Sequence, residues 1–169
     1  PAIGIHRDGG LADYVIVAQK QAFPVPTSLD PAFGAFCEPL ACCIHGTDVA
    51  QIQPGSTVLV LGGGVIGLLT VQLAKLAGAN VMLATRNKAK RDLALRLGAT
   101  AVIDPAATDI TAEIQSLSHG GADVVMECAG VPETVEQAPK LARPGGRVVI
   151  VGVLAQGLKV QYEPFDLLF

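Results

Sequence analysis

Gly62-Gly63-Gly64-Val65-Ile66-Gly67 follows directly on a short apolar, β-branched run, Thr57 to Leu61, and opens a helical pattern, Val65 to Ala77, that Gly78 closes. A strand, a glycine turn and a helix in that order leave few folds open. Gly62 permits the tight turn, Gly64 lets the main chain come close to a pyrophosphate, and Gly67 lets the helix pack closely on the strand. The amides of Val65 and Ile66 then face an anion at the positive end of the helix. The alternative is a glycine-rich turn with no ligand, and the flanking strand and helix weigh against it.

The rest of the chain repeats this alternation. Val81 to Thr85 reads as a second strand, and Asn87 caps a helix running to Leu97, where Gly98 supplies a left-handed stop. A third strand follows at Ala101 to Ile103, then a helix near Thr108 to Leu117 and a fourth strand at Asp123 to Met126. A helix from Pro132 to Ala142 and a fifth strand at Arg147 to Val151 complete the pattern. Strands alternating with helices imply a parallel sheet with right-handed crossovers, an α/β, doubly wound Rossmann sheet. Composition agrees: 50% of residues are hydrophobic but only 4% aromatic, so the apolar mass is Val, Leu, Ile and Ala, as in strands buried on both faces.

The preceding residues have a different character. Leu11 to Val17 has strand chemistry, and Phe23-Pro24-Val25-Pro26 is extended because each proline biases its predecessor away from helix. Asp30-Pro31 reads as an N-cap with proline at the first helical position, and Pro39 as the opening of a second helix through Val49. Residues 1–30 are thus expected to be the remnant of another, β-rich domain, 31–52 connecting helices, and 53–169 the nucleotide-binding domain.

Charge excludes one class of partner. With 12 basic and 15 acidic residues, no basic surface recruits a nucleic-acid backbone. The longest apolar runs are far shorter than the roughly 20 residues that span a bilayer, so neither nucleic acid nor membrane is expected. Cys37, Cys42, Cys43 and Cys128 match no closed zinc quartet and read as reduced thiols of a cytoplasmic protein. A first residue other than Met, no visible secretory signal and the apolar ending Phe165-Asp166-Leu167-Leu168-Phe169 suggest a piece of a longer protein.

The end of the second strand bears on the choice of dinucleotide. About 20 residues beyond the glycines, an NAD site usually presents a carboxylate to the ribose hydroxyls. Here that position is Thr85, followed by Arg86, Asn87, Lys88, Lys90 and Arg91. A neutral hydroxyl beside guanidinium groups suits a 2′-phosphate, which favours NADP over NAD, with Thr85, Arg86 and Arg91 as its contacts. The competing reading makes this run the solvated face of a helix, a reading that suits Lys88 and Lys90 best and Arg86 least.

Together these segments resemble the zinc-dependent medium-chain dehydrogenases, of the alcohol, sorbitol and threonine dehydrogenase-like kind. Gly9-Gly10-Leu11-Ala12-Asp13-Tyr14 is similar to their "GGFAEY" stretch, and Glu38-Pro39-Leu40-Ala41 to their "EPLA" segment. Leu97-Gly98-Ala99, Glu127-Cys128-Ala129-Gly130 and Arg143-Pro144-Gly145-Gly146 follow in the family's order. The β-rich remnant would then belong to a GroES-like catalytic domain. The resemblance implies hydride transfer between a nicotinamide cofactor and an alcohol or polyol, with zinc as Lewis acid in the full-length parent. It also implies that Cys128, Ala129, Val151, Gly152 and Val153 border the nicotinamide, where ordinary strand-end packing is the alternative. Glu38 matches the acid at the catalytic zinc, or is simply a first-turn acid. His45, within the connecting helix, reads as packed or locally bonded.

The family's upstream cysteine and Gly-His-Glu ligands and its four-cysteine lobe do not occur in the chain, and its sixth strand would begin just after Phe169. The isolated chain is therefore expected to be inactive and to hold no stoichiometric zinc. Its fifth strand would have an open edge through which homo-oligomers form. Two other readings stay open: a nucleotide-binding module without catalysis, and a methyltransferase that uses the glycine turn for adenosylmethionine.

Overall fold

A computed structural model describes residues 2–118 and 120–165. The chain divides into two units, Pro1–Phe36 and Cys37–Phe169. The first contains a 3-10 turn at Gln19–Gln21 and a short helix, α1 (Pro31–Gly34), which Asp30 caps by accepting from the Ala32 amide at 2.8 Å. Leu11 to Val17 forms no strand here. Its neighbours offer only an isolated bridge, Ile3 to Arg7, and a strand without a ladder leaves its amides to water.

In the second unit, α2 (Cys37–Ala50) begins two residues ahead of the expected Pro39, so that Glu38 lies in its first turn. There follow β1 (Thr57–Leu61), α3 (Val65–Leu76), β2 (Asn80–Ala84), α4 (Lys88–Arg96), β3 (Ala101–Ile103), α5 (Ile110–Ser118), β4 (Ala122–Glu127), α6 (Pro132–Leu141) and β5 (Ala142–Ile150). Asn87 caps α4 as its side chain leads one to expect, accepting from the Lys90 amide at 3.2 Å. The strands are parallel in the order β3-β2-β1-β4-β5. Alternation along each strand divides the core between the two faces. Val58, Val60, Val81, Leu83, Val124 and Met126 pack with Val71 and Ala74 of α3 and Ala94 of α4. Leu59, Leu61, Met82 and Val125 pack with Ile110 and Ile114 of α5 and Ala138 and Leu141 of α6.

β5 starts five residues earlier than its apolar pattern, at Ala142 opposite Ala122. Pro144-Gly145-Gly146 conceals this start from the sequence because it breaks the alternation. The structure absorbs it as a register irregularity, with Gly145 at φ +71. β5 pairs only with β4 among the described strands and so has an open edge. The chain beyond it is fastened to α6, where the Gln161 amide donates to Glu136 at 2.8 Å and the Tyr162 hydroxyl to the Val135 carbonyl at 3.1 Å. Residues 166–169 of the apolar ending lie outside the described residues.

Candidate functional site

The strands end in register. Ala84, Leu61, Glu127 and Ile150 stand side by side at the carboxyl edge, and the strand order reverses between β1 and β4. Open α/β sheets bind ligands beyond such a reversal. A cleft of about 600 Å³ opens there.

Its floor is the glycine turn. Gly62 has φ +104, and a Cβ on it would lie 2.9 Å from the Ala129 amide nitrogen. A Cβ on Gly67 would strike the Gly62 carbonyl, so α3 can lie this close to β1 only with glycine at that position. Gly64 is different: nothing lies within 4 Å of where its Cβ would be. It is the N-cap of α3, with no capping side chain. The open side of Gly64 therefore leaves the start of α3 accessible to an anion.

One end of the cleft lies at β2, where Thr85, Arg86 and Lys90 line it. Lys90, expected on the solvated face of α4, is exposed and lines the cleft as well. Arg91, read from sequence with the cofactor side chains, is instead tied down: it donates to the Thr85 carbonyl at 2.6 Å and pairs with Asp104 at 2.8 Å, and it does not line the cleft. Lys88 pairs along its helix with Asp92.

The other end lies at β4, where Cys128, Ala129 and Thr134 form the wall. Burial pushes the Cys128 thiol up to about 12, despite a contact with the Thr70 hydroxyl at 3.9 Å. The Cys128 thiol is therefore neutral at neutral pH. Behind it, Glu127, to which the sequence alone assigns no role, is fully buried. Its Oε1 accepts from the amides of Ala129 at 2.8 Å and Gly130 at 2.9 Å and from the Thr134 hydroxyl at 2.7 Å. Its carbonyl accepts from the amides of Val151 at 2.8 Å and Gly152 at 2.9 Å.

The structure thus brings Gly62, Gly64, Thr85, Arg86, Cys128 and Ala129 onto one cleft. Val65, Ile66 and Gly67 lie in the helix behind it, and Val151, Gly152 and Val153 at the exit of β5, outside its lining. Glu38 is exposed and accepts from the Cys42 thiol at 3.8 Å. Among the described residues no group of three His, Cys, Asp or Glu is placed to hold a metal, so Glu38 does not make a zinc site with its neighbours. His45 is exposed on α2 rather than packed.

A family model described as "Zinc-binding dehydrogenase" matches residues 65–169. The chain belongs to the zinc-binding dehydrogenase family. Among curated members, it is 34% identical over 167 residues to galactitol 1-phosphate 5-dehydrogenase of Escherichia coli strain K12, covering 96% of this chain and 48% of that one. The chain spans under half the length of these curated relatives. A solved structure described as a zinc-binding dehydrogenase of Sinorhizobium meliloti 1021 bound to NADP is 61% identical, with TM-score 0.89 over 98% of this chain and 50% of that one. A second, described as the short chain alcohol dehydrogenase rspB of E. coli CFT073 complexed with NADH, is 27% identical with TM-score 0.89 over 99% of this chain and 49% of that one. Among these two neighbours, then, one fold occurs with either dinucleotide. No helix among the described residues is long and apolar enough to cross a membrane.

Proposed function

We propose that this chain is the cofactor-binding portion of a nicotinamide-dependent alcohol or polyol dehydrogenase. The observation that carries the reading is the cleft at the β1–β4 reversal, with the uncapped start of α3 beneath it and an open side at Gly64. Bound there, the dinucleotide would supply the hydride-accepting ring. Val65 and Ile66 would present their amides to the pyrophosphate, with Gly67 holding α3 in place. Cys128 and Ala129, with Val151, Gly152 and Val153 behind them, would shape the nicotinamide end.

NADP is preferred over NAD in this reading. Thr85 has no carboxylate to offer a ribose, while Arg86 and Lys90 present cations to a 2′-phosphate. Arg91 would support that corner by holding the Thr85 carbonyl. The alcohol or polyol is a substrate of the whole protein. The described residues do not form its zinc site. The reading extends to a cytoplasmic protein, supported by four free cysteines. It also extends to a homo-oligomer in which a second copy pairs with the open edge of β5.

Isothermal titration of the purified chain tests the cofactor assignment. NADPH binds more tightly than NADH, and Thr85→Asp with Arg86→Ala reverses the order, each preference being roughly tenfold. A chain that binds neither dinucleotide, or that prefers NADH unmodified, overturns the assignment.

A further inference from the structure

Glu127 has a feature that neither the glycine turn nor the β2 end accounts for. Its Oε2 is buried without a hydrogen-bond partner, while Oε1 takes all three donors. All three are neutral, and no described cation is paired with the carboxylate. Space for Oε2 exists because residue 152 is glycine, on which a Cβ would lie 2.5 Å from that oxygen. A buried carboxylate with no counter-ion is expensive, and buried charges are ordinarily paired. A glutamine could accept the same three hydrogen bonds without the charge. Among the described residues nothing offsets that charge, so a cation carried by a ligand would do so.

We propose that Glu127 is a specificity-determining residue that favours the oxidised, positively charged nicotinamide over the reduced, neutral ring. The inference rests on the reading of the cleft as a nicotinamide site. Cys128 and Ala129 follow Glu127 directly and face the cleft, and the carboxylate accepts from Thr134, which lines it too. Little water separates the charge from that wall, so its field is weakly screened. Cys128 on that wall is raised mainly by burial and, to a lesser extent, by the neighbouring Glu127 carboxylate. Glu133, exposed on α6 in the same cleft, is an internal control, because a solvated carboxylate is screened.

The test is isothermal titration of the full chain with NADP⁺, NADPH and 2′-phospho-ADP-ribose, which lacks only the nicotinamide. Glu127→Gln lowers the affinity for NADP⁺ relative to NADPH about tenfold, while 2′-phospho-ADP-ribose binds as before. Glu133→Gln moves the ratio less than about twofold. Glu127→Asp keeps the charge and the wild-type ratio, even where both affinities fall, and so keeps the test decisive should the glutamine variant not fold. An unchanged ratio in Glu127→Gln, equal losses for all three ligands, or a ratio lost in Glu127→Asp overturns the proposal while leaving the dinucleotide site standing. A wild-type chain that binds none of the three removes both readings.

Discussion

At the end of β2 the cleft is bounded by cationic side chains that reach into water, Arg86 and Lys90, whereas at the end of β4 it is bounded by main chain around a buried carboxylate. A Cβ on Gly130 would meet the Val153 carbonyl at 2.8 Å, and one on Gly152 would collide with the Gly130 amide. Solvated side chains can be exchanged at a cost of tenths of a kilocalorie, roughly within 0.5 kcal/mol. Packed backbone cannot. The first end is suited to choosing between related cofactors and the second to holding one ring in a fixed setting.

The glycines offer the largest test of this contrast. Gly67→Ala drives a methyl group into the Gly62 carbonyl, and overpacking of this kind costs about 3 kcal/mol, a drop in Tm of roughly 6–12 °C. Gly64→Ala meets nothing within 4 Å, so thermal unfolding is unmoved, yet titration finds both dinucleotides weakened, by roughly tenfold. A loss of stability in Gly64→Ala equal to that in Gly67→Ala would erase the distinction between a glycine that packs and one that leaves room for a ligand.

Arg91 sharpens the comparison at the β2 end. If it is a strut, Arg91→Ala removes a hydrogen bond and a half-buried ion pair to Asp104 worth about 2 kcal/mol, lowering Tm by roughly 4–8 °C. Both dinucleotides then weaken together and the NADPH-to-NADH preference persists. Collapse of that preference would return Arg91 to the phosphate.

What was legible in the sequence follows the same division. The strand at Thr57–Leu61, the cap at Asn87 and the glycine turn each carry a local signal, in periodicity, in a side chain that competes for an amide, or in a missing Cβ. The place of Lys90 depends on which face of α4 meets the cleft, and the engagement of Arg91 depends on Asp104, on another strand's exit. Neither can be read within one segment. Glu127 was hidden more deeply still, because an acid at a strand end normally reads as solvated. Only its burial and the glycine at position 152 give it meaning. Leu11 to Val17 shows the reverse case, since alternation marks a segment able to pair but does not provide the strand to pair with.

The smallest effect concerns the thiol on the β4 wall. Cys128 is held to about 12 in the fold against an ordinary value of 9.0. A group whose folded value is raised contributes stability that is complete below the unfolded value and is lost as pH climbs toward the folded one, because the unfolded chain releases its proton first. Between pH 9 and 10 this thiol alone therefore removes about 1 kcal/mol, and Cys128→Ala flattens that part of the stability curve. Burial raises Cys43 as well, so both thiols are slow to ionise, whereas Cys37 and Cys42 are exposed. Mass spectrometry after brief alkylation at pH 8 should find label on Cys37 and Cys42 well before Cys43 or Cys128, since the thiolate is the reacting species. Rapid labelling of Cys128 would mean that the β4 wall is open to water. The weakly screened field proposed for Glu127 would then lose its physical basis, even with the hydrogen bonds to Ala129 and Gly130 intact.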